Sequence, residues 1–323
     1  MKIIITVCLL FIGTINNSLA NNSLANKKIT VMLAWFMNPN YANFVIAQKK
    51  GFFKENGLNV ELIEPTNPSD APKLLATKKI DYALGHQPSL QMQAVKKWNI
   101  SRIATMVNAQ LNSIVYLKKS GIKNIQDLKG KTIGFSIAGF DDILLKKVLK
   151  KGNLSLSDVK LVNINWAIAS SLLTGNVDAV IGAYRTFEQL EIELKGFETG
   201  AFYLEEYGVP MYDEIIMLAH NDNLNTKQTC LIIDAIEKSA HYIRNHPQES
   251  WEIFKSYNPE VLDDKLNYQS WLLMANRFSL SPSALDIGRY NKMKVFLEKN
   301  ELVDSIIPPI NEYAVNPFEK GCK

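Results

Sequence analysis

From Lys28 onward, short β-branched runs alternate with segments of helical spacing, and that alternation admits few architectures besides a largely parallel sheet with helices packed on it. Residues 29–33 read as a strand, and residues 41–54 read as a helix with Phe44, Ala47, Gly51 and Phe52 on related faces and Gly57 as its C-terminal cap. A strand at 59–63 follows. Ser69 stands where an N-cap belongs, ahead of a short helix at 70–77, a strand at 81–84, a helix at 89–98 and a strand around 103–107. Beyond the apolar strand at 112–117 the texture starts afresh, with strands at 132–136, 159–164 and 178–182 separated by helices at 141–150 and 167–173. A strand at 214–219 precedes a helix-rich remainder at 226–245, 248–257, 264–278 and 285–298.

Two successive α/β units followed by helices imply an α/β protein of two lobes, with the chain crossing near Asn112 and returning near Met211. The first lobe is then discontinuous, residues 26–112 plus 212–323, and the second is 113–211. Two strands join them as a hinge, whose few residues can absorb the rotation that closes a cleft over a ligand.

The N-terminus departs from this pattern. Met1 and Lys2 precede an apolar run at 3–12 and then small polar residues, the order of a secretory signal peptide spanning 1–25, with cleavage after Ala20 or Ala25. About ten apolar residues are too few to span a bilayer. Export leaves Cys230 and Cys322 as one candidate disulfide pair, which sequence does not place within reach of each other. Lys and Arg are scattered among nearly as many Asp and Glu for a net charge of +4, so no nucleic-acid partner is expected. No CxxC, HExxH or clustered histidine set suggests a metal.

Open α/β sheets bind ligands at the carboxyl ends of their strands, and several polar and aromatic windows fall there. Trp35, Asn38, Asn40 and Tyr41 combine flat faces with amides that donate and accept, which suits a neutral heteroaromatic ligand bearing amino groups. The same residues also fit as core aromatics and helix caps. After the strand at 178–182, Tyr184 offers another face and Glu188 an acceptor carboxylate; Glu188 equally suits a helix N-terminus. The turn through Gly139 and Phe140 sits between strand and helix, where backbone amides favour anions, but Asp141 and Asp142 follow it and disfavour a phosphate. Gln87 with His86 in one loop, Asn112 at the crossing and Tyr212 at the return complete the cluster.

The windows WFMNPNY, KGFFKENGLNVELIEPTNPSD, DLKGKTIGFS, GNVDAVIGAYRTFE and EEYGVPMYDE resemble the NMT1/THI5-like family, most closely its exported solute-binding proteins that deliver a thiamine pyrimidine precursor to an ABC transporter. The resemblance implies a type II periplasmic-binding fold, a monomer, an aminopyrimidine ligand, a permease as partner and no cofactor. On it, Trp35 and Tyr184 stack on the ring, Glu188 pairs with its amino edge, and Asn38, Asn40 and Asn112 complete the polar contacts. The same family contains pyrimidine synthases dependent on pyridoxal phosphate and iron. Where those carry a lysine and a consumed histidine, this chain has Gly85 and Ser89, and where their Cys-rich motif falls, residues 213–218 hold no cysteine. A sulfonate or nitrate binder is a third reading, for which Arg185 is the one supporting cation.

Overall fold

The computed structural model describes residues 28–224 and 226–322; the expected leader at 1–25, with Cys8, lies outside them. Among the described residues, ten strands form two five-stranded sheets. The first combines β1 (Lys28–Met32), β2 (Asn59–Ile63), β3 (Tyr82–Gly85), β4 (Ile100–Val107) and β10 (Ile215–His220) in the order β2-β1-β3-β10-β4. The second combines β5 (Asn112–Leu117), β6 (Thr132–Phe135), β7 (Lys160–Asn163), β8 (Ala179–Tyr184) and β9 (Thr199–Tyr203) in the order β7-β6-β8-β5-β9. The two orders are the same pattern. In each sheet four strands run parallel, and one strand arriving from the other lobe inserts antiparallel before the last of them. Residues 108–111 carry the chain out to β5 and residues 208–214 bring it back to β10, so each crossing ends in a strand of the next sheet.

The strands β4, β5 and β10 are buried along their whole length, as expected where helices cover both faces of a sheet, whereas β7 lies half exposed at an edge. The helical pattern expected at 41–54 is broken. Pro39–Tyr41 is a 3-10 turn, Ala42–Lys49 is helical, and Gly51 at φ +82° turns the chain before a short helix Phe52–Glu55. A left-handed residue cannot continue a right-handed helix, so Gly51 acts as punctuation rather than as part of an apolar face. Ser69 precedes the helix Asp70–Ala76 without its side chain capping it; instead Asn67 Oδ1 accepts from Ser69 N and Asp70 Oδ2 accepts from Asn67 N.

The C-terminal stretch returns to the first sheet and covers its β4 edge. Arg102 N donates to Tyr313 O, Val315 N to Arg102 O, Thr105 N to Pro282 O and Ser279 N to Met106 O. Arg102 itself is fully buried, and its guanidinium donates to the carbonyls of Ser283, Val315, Pro282 and Ala284 and to Thr105 Oγ1. Burial lowers its pKa, opposed by the nearby Tyr290 and Asp213. Cys230, in the helix Lys227–Asn245, is bonded to Cys322, and a covalent tie across 92 residues is worth about 4 to 5 kcal/mol on the loop-entropy model.

Arg102 thus closes the sheet edge with hydrogen bonds that no apolar side chain can replace. Arg102→Met leaves several buried carbonyls without a donor and is expected to cost about 3–5 kcal/mol, read as a melting temperature lower by roughly 10 °C in thermal unfolding. An unchanged melting temperature would mean that the C-terminal stretch is held by its apolar contacts alone.

Candidate functional site

The parallel strands β1, β3, β6 and β8 all end toward the space between the sheets, and β5, running the other way, begins there. The chain immediately after those strand ends builds the cleft. Ala34, Trp35, Asn40, Tyr41 and His86 line it from the first lobe; Asn112, Ser136, Ile137, Phe140, Asp141, Gly182, Tyr184 and Glu188 line it from the second. It encloses about 430 Å3, counting the solvent at its mouth. A second cavity, with Ser89, Lys73, Lys96 and Trp98 in its wall, adjoins it through Ala34, His86 and Ile137.

Seven of the residues expected from sequence meet in the first cleft: Trp35, Asn40, Tyr41, Asn112, Phe140, Tyr184 and Glu188. Four do not. Asn38 spends its side chain on the 3-10 turn, with Oδ1 accepting from Asn40 N at 2.9 Å and Nδ2 donating to Phe36 O at 3.0 Å. Gln87 is committed to the return crossing, Oε1 accepting from Asp213 N at 2.8 Å and Nε2 donating to Gln91. Gly139 faces the second cavity, and Tyr212 stands behind the wall with its ring edge-on to Phe140 and its hydroxyl toward Glu214. Sequence reasoning passed over Asp141 and Gly182 as lining residues and named His86 only as the loop neighbour of Gln87. His86 lies flat against Phe140, centroids 4.9 Å apart and planes within 1°. The signal for it was its place directly after a strand end.

The polar chemistry is set by burial. Glu188 is 6% exposed; its Oε2 accepts from Tyr184 N at 2.8 Å, and burial pushes its carboxyl up to about 8, against the pull of the Tyr184 and Glu188 amides. Asp141 is pushed up to about 7 by burial, although Oδ2 accepts from Ile137 N at 2.8 Å and Ser136 N at 3.1 Å. Asp142 Oδ1 accepts from Gly139 N at 2.7 Å. The amides of the 136–139 loop, which could have held a phosphate, are therefore occupied by the chain's own carboxylates. Burial holds His86 below its ordinary value, and it keeps Tyr41 and Tyr184 protonated, with nearby carboxylates adding to the rise. Arg185 points away from the cleft: it pairs with Glu205 at 2.8 and 3.0 Å and stacks on Tyr203.

Four buried polar atoms in the cleft lining have no protein partner. Two are donors, Trp35 Nε1 and Asn112 Nδ2, and two are acceptors, Asn40 Oδ1 and Asp141 Oδ1. At the mouth, Trp35 meets Trp166 of the second lobe edge-on at 4.5 Å, Trp166 Nε1 donates to Thr66 O and Asn67 Nδ2 donates to Asn165 Oδ1. The lobes are therefore in contact across the opening.

The model of the NMT1/THI5-like family matches residues 38–250. A Haemophilus influenzae protein named for thiamine biosynthesis is 43% identical, the alignment covering 91% of this chain and 93% of that one. The formylaminopyrimidine-binding protein of Halalkalibacterium halodurans is 28% identical over 66% of this chain and 65% of its own, and a 4-amino-5-hydroxymethyl-2-methylpyrimidine phosphate synthase of Saccharomyces cerevisiae is 26% identical over 80% and 79%. Among solved structures, the alkanesulfonate-binding protein of Xanthomonas axonopodis pv. citri superposes with a TM-score of 0.69 at 14% identity, covering 89% of this chain and 98% of that one, so the two share the periplasmic-binding-protein fold. By the extent of the family match and the identity to the Haemophilus relative, the chain belongs to the NMT1/THI5-like family.

Proposed function

We propose that this is an exported solute-binding protein that takes a thiamine-related aminopyrimidine between its lobes and presents it to the permease of an ABC transporter. The observation that carries the proposal is the set of unpartnered donors and acceptors inside an aromatic cleft. Buried polar groups require partners, and a flat heterocycle with ring nitrogens and amino groups supplies both kinds at once. Trp35 and Tyr184 provide the faces, Glu188 and Asn40 the amino edge. An anion fits poorly: the loop amides are filled, Arg185 is paired with Glu205, and burial favours neutral His86. The Cys230–Cys322 bond suits an oxidising compartment, in keeping with the leader-like N-terminus.

A synthase of the same family would need a lysine at Gly85, where even a Cβ would come within 3.0 Å of Leu218 Cδ1. The stretch at 213–218 that would supply cysteines runs into the buried strand β10. Both features favour capture over conversion.

Titration calorimetry is expected to show binding of formylaminopyrimidine or hydroxymethylpyrimidine and no heat from taurine; heat from taurine alone would move the assignment to a sulfonate binder. Glu188→Ala is expected to weaken pyrimidine binding by about 2–3 kcal/mol, roughly 30- to 150-fold.

With its carboxyl raised to about 8, Glu188 at neutral pH holds a proton and offers one O–H donor beside one acceptor, the complement of a ring nitrogen beside an amino group. Above about 8 it ionises, and binding must then take up a proton, so affinity should fall about tenfold per pH unit. Tyr41, Tyr184 and Glu191 are the titratable groups around it, and the tyrosines stay neutral in that range. Glu188→Gln keeps a donor and an acceptor without titrating, and is expected to abolish this alkaline decline. The same raised value works against stability: the unfolded carboxyl ionises near 4.5, the folded one only near 8, so its contribution is lost progressively between them.

A further inference from the structure

Beside the return crossing, and sharing no residue with the cleft lining, lies a groove walled by one helix from each lobe. The helix Asp141–Lys151 follows β6 in the second lobe. The helix Ile287–Lys299 is fixed to the first, where Gln91 Nε2 donates to Tyr290 O at 2.9 Å and Arg289 pairs with Asp213. Val295, Phe296 and Lys299 stand three, four and seven positions after Lys292, so the four share one helical face, and that face meets Lys147, Gly208 and Pro210 in the groove. Gly208 has φ +85°, and a Cβ there would come within 3.4 Å of Lys151 Cε and 4.0 Å of Lys147 Cε, so both lysines lie over it. Among the described residues, none of Lys147, Lys151, Lys292 and Lys299 forms an ion pair; Glu298, on the second helix, is taken by Lys294. Partial burial, then the charges of Lys151 and Lys150, hold the Lys147 ammonium below its ordinary pKa. Lys147 Nζ donates to Asn300 Oδ1 at 2.7 Å and Lys146 Nζ to Glu301 O at 3.1 Å, so the two helices touch across the lobes in the same arrangement that shuts the cleft mouth.

Four ammonium groups around the apolar side chains of Val295 and Phe296 call for an anion, and their spread sets its size. Lys292 and Lys299 are about 10 Å apart along their helix axis, and Lys147 and Lys151 are about one turn apart on the other wall. A single phosphoryl group cannot serve both walls over that length. Two linked ones can, since each lysine is a point charge on a flexible stem. We propose that this groove binds a soluble compound carrying a diphosphate and that its occupancy favours the closed lobes, the coupling resting on the aminopyrimidine reading above. An anion shared between Lys147 and Lys151 of one lobe and Lys292 and Lys299 of the other adds to the contacts that hold the two helices as they stand when the mouth is shut. Linkage makes the effect mutual: the diphosphate raises affinity for the pyrimidine by the same factor as the pyrimidine raises affinity for the diphosphate.

The test is calorimetry with inorganic pyrophosphate as the probe, in about 50 mM sodium chloride so that screening does not mask the site. The unaltered protein is expected to bind pyrophosphate, and saturating pyrophosphate is expected to tighten hydroxymethylpyrimidine binding about fivefold or more, where sodium chloride of equal ionic strength does not. Lys292→Gln combined with Lys299→Gln should weaken pyrophosphate binding at least about tenfold and abolish that tightening. Affinity of this double variant for hydroxymethylpyrimidine alone should stay within about twofold, which also reports its folding. No heat from pyrophosphate, or equal binding by the double variant, overturns the site. Pyrophosphate binding that leaves pyrimidine affinity unchanged, or an equal tightening by sodium chloride, overturns the coupling. Attachment to phosphatidylglycerol vesicles without binding of pyrophosphate assigns the groove to a membrane surface and overturns a soluble ligand. Failure of the unaltered protein to bind any pyrimidine overturns the aminopyrimidine assignment and the coupling with it, while the groove stands or falls on the pyrophosphate titration alone. Should the double variant bind neither compound, Lys151→Gln, at the exposed end of the other helix, replaces it under the same criteria.

Discussion

A single buried carboxylate organises the junction of the two lobes. Glu214, fully buried where the chain returns to the first sheet, takes the amides of Leu111 and Asn112 on the outgoing crossing at 2.7 and 3.1 Å and the Tyr184 hydroxyl of the second lobe at 3.2 Å. Its own carbonyl meets His86 Nδ1 at 2.6 Å. One residue thereby fixes both crossings and orients the aromatic face of Tyr184 through its side chain, and holds the histidine that backs Phe140 through its carbonyl. Carboxylates are stable in such a place only when several donors converge on them, and here backbone amides and a phenol do so. The positions of Asn112 and Tyr184 in the cleft follow from this junction rather than from the strands alone.

The same economy governs the loop at 136–142. A strand-to-helix turn of this kind presents free amides to whatever anion is near. Here Asp141 and Asp142 reach back and occupy them, so an anion-binding device becomes a support that aims Asp141 Oδ1 into the cleft. A fold shared with an alkanesulfonate binder can thus serve an uncharged ligand without any change of topology.

Much of the fold was legible in the sequence because each strand is a compact β-branched or apolar run bounded by turn residues; the segment 59–63 coincides with β2 and 112–117 with β5. What failed were local decisions. The Gly51 turn within 41–54 was read as a helix face because spacing alone does not register a positive φ, and β9 (Thr199–Tyr203), short and led by Thr and Gly, gave no strong periodic signal. At the site, residues placed by the ends of strands were readable from the α/β rule, as with Trp35, Tyr184 and Glu188. Asn38 and Gln87 were not separable from true lining residues, because an amide that caps a turn and an amide that faces a cleft look the same in sequence; only their partners distinguish them. Asp141 was read as repelling an anion, which its side chain does by taking the anion's place.

The energetics of closure follow from how unequal the contacts inside and at the rim of the cleft are. The rim is held by two hydrogen bonds of 3.3 Å between exposed groups and by the Trp35–Trp166 and Phe36–Phe187 edge contacts, each worth about 1 kcal/mol or less in such surroundings. Inside, four buried polar atoms lack protein partners, and leaving such an atom unsatisfied costs about 1–3 kcal/mol. Bringing the lobes together is thus nearly balanced for the protein alone and strongly favoured once a ligand supplies the missing partners, since closure is driven by the ligand's differential affinity for the two states. A ligand that answers only some of those atoms leaves part of that cost in place, so selectivity and closure draw on the same buried groups.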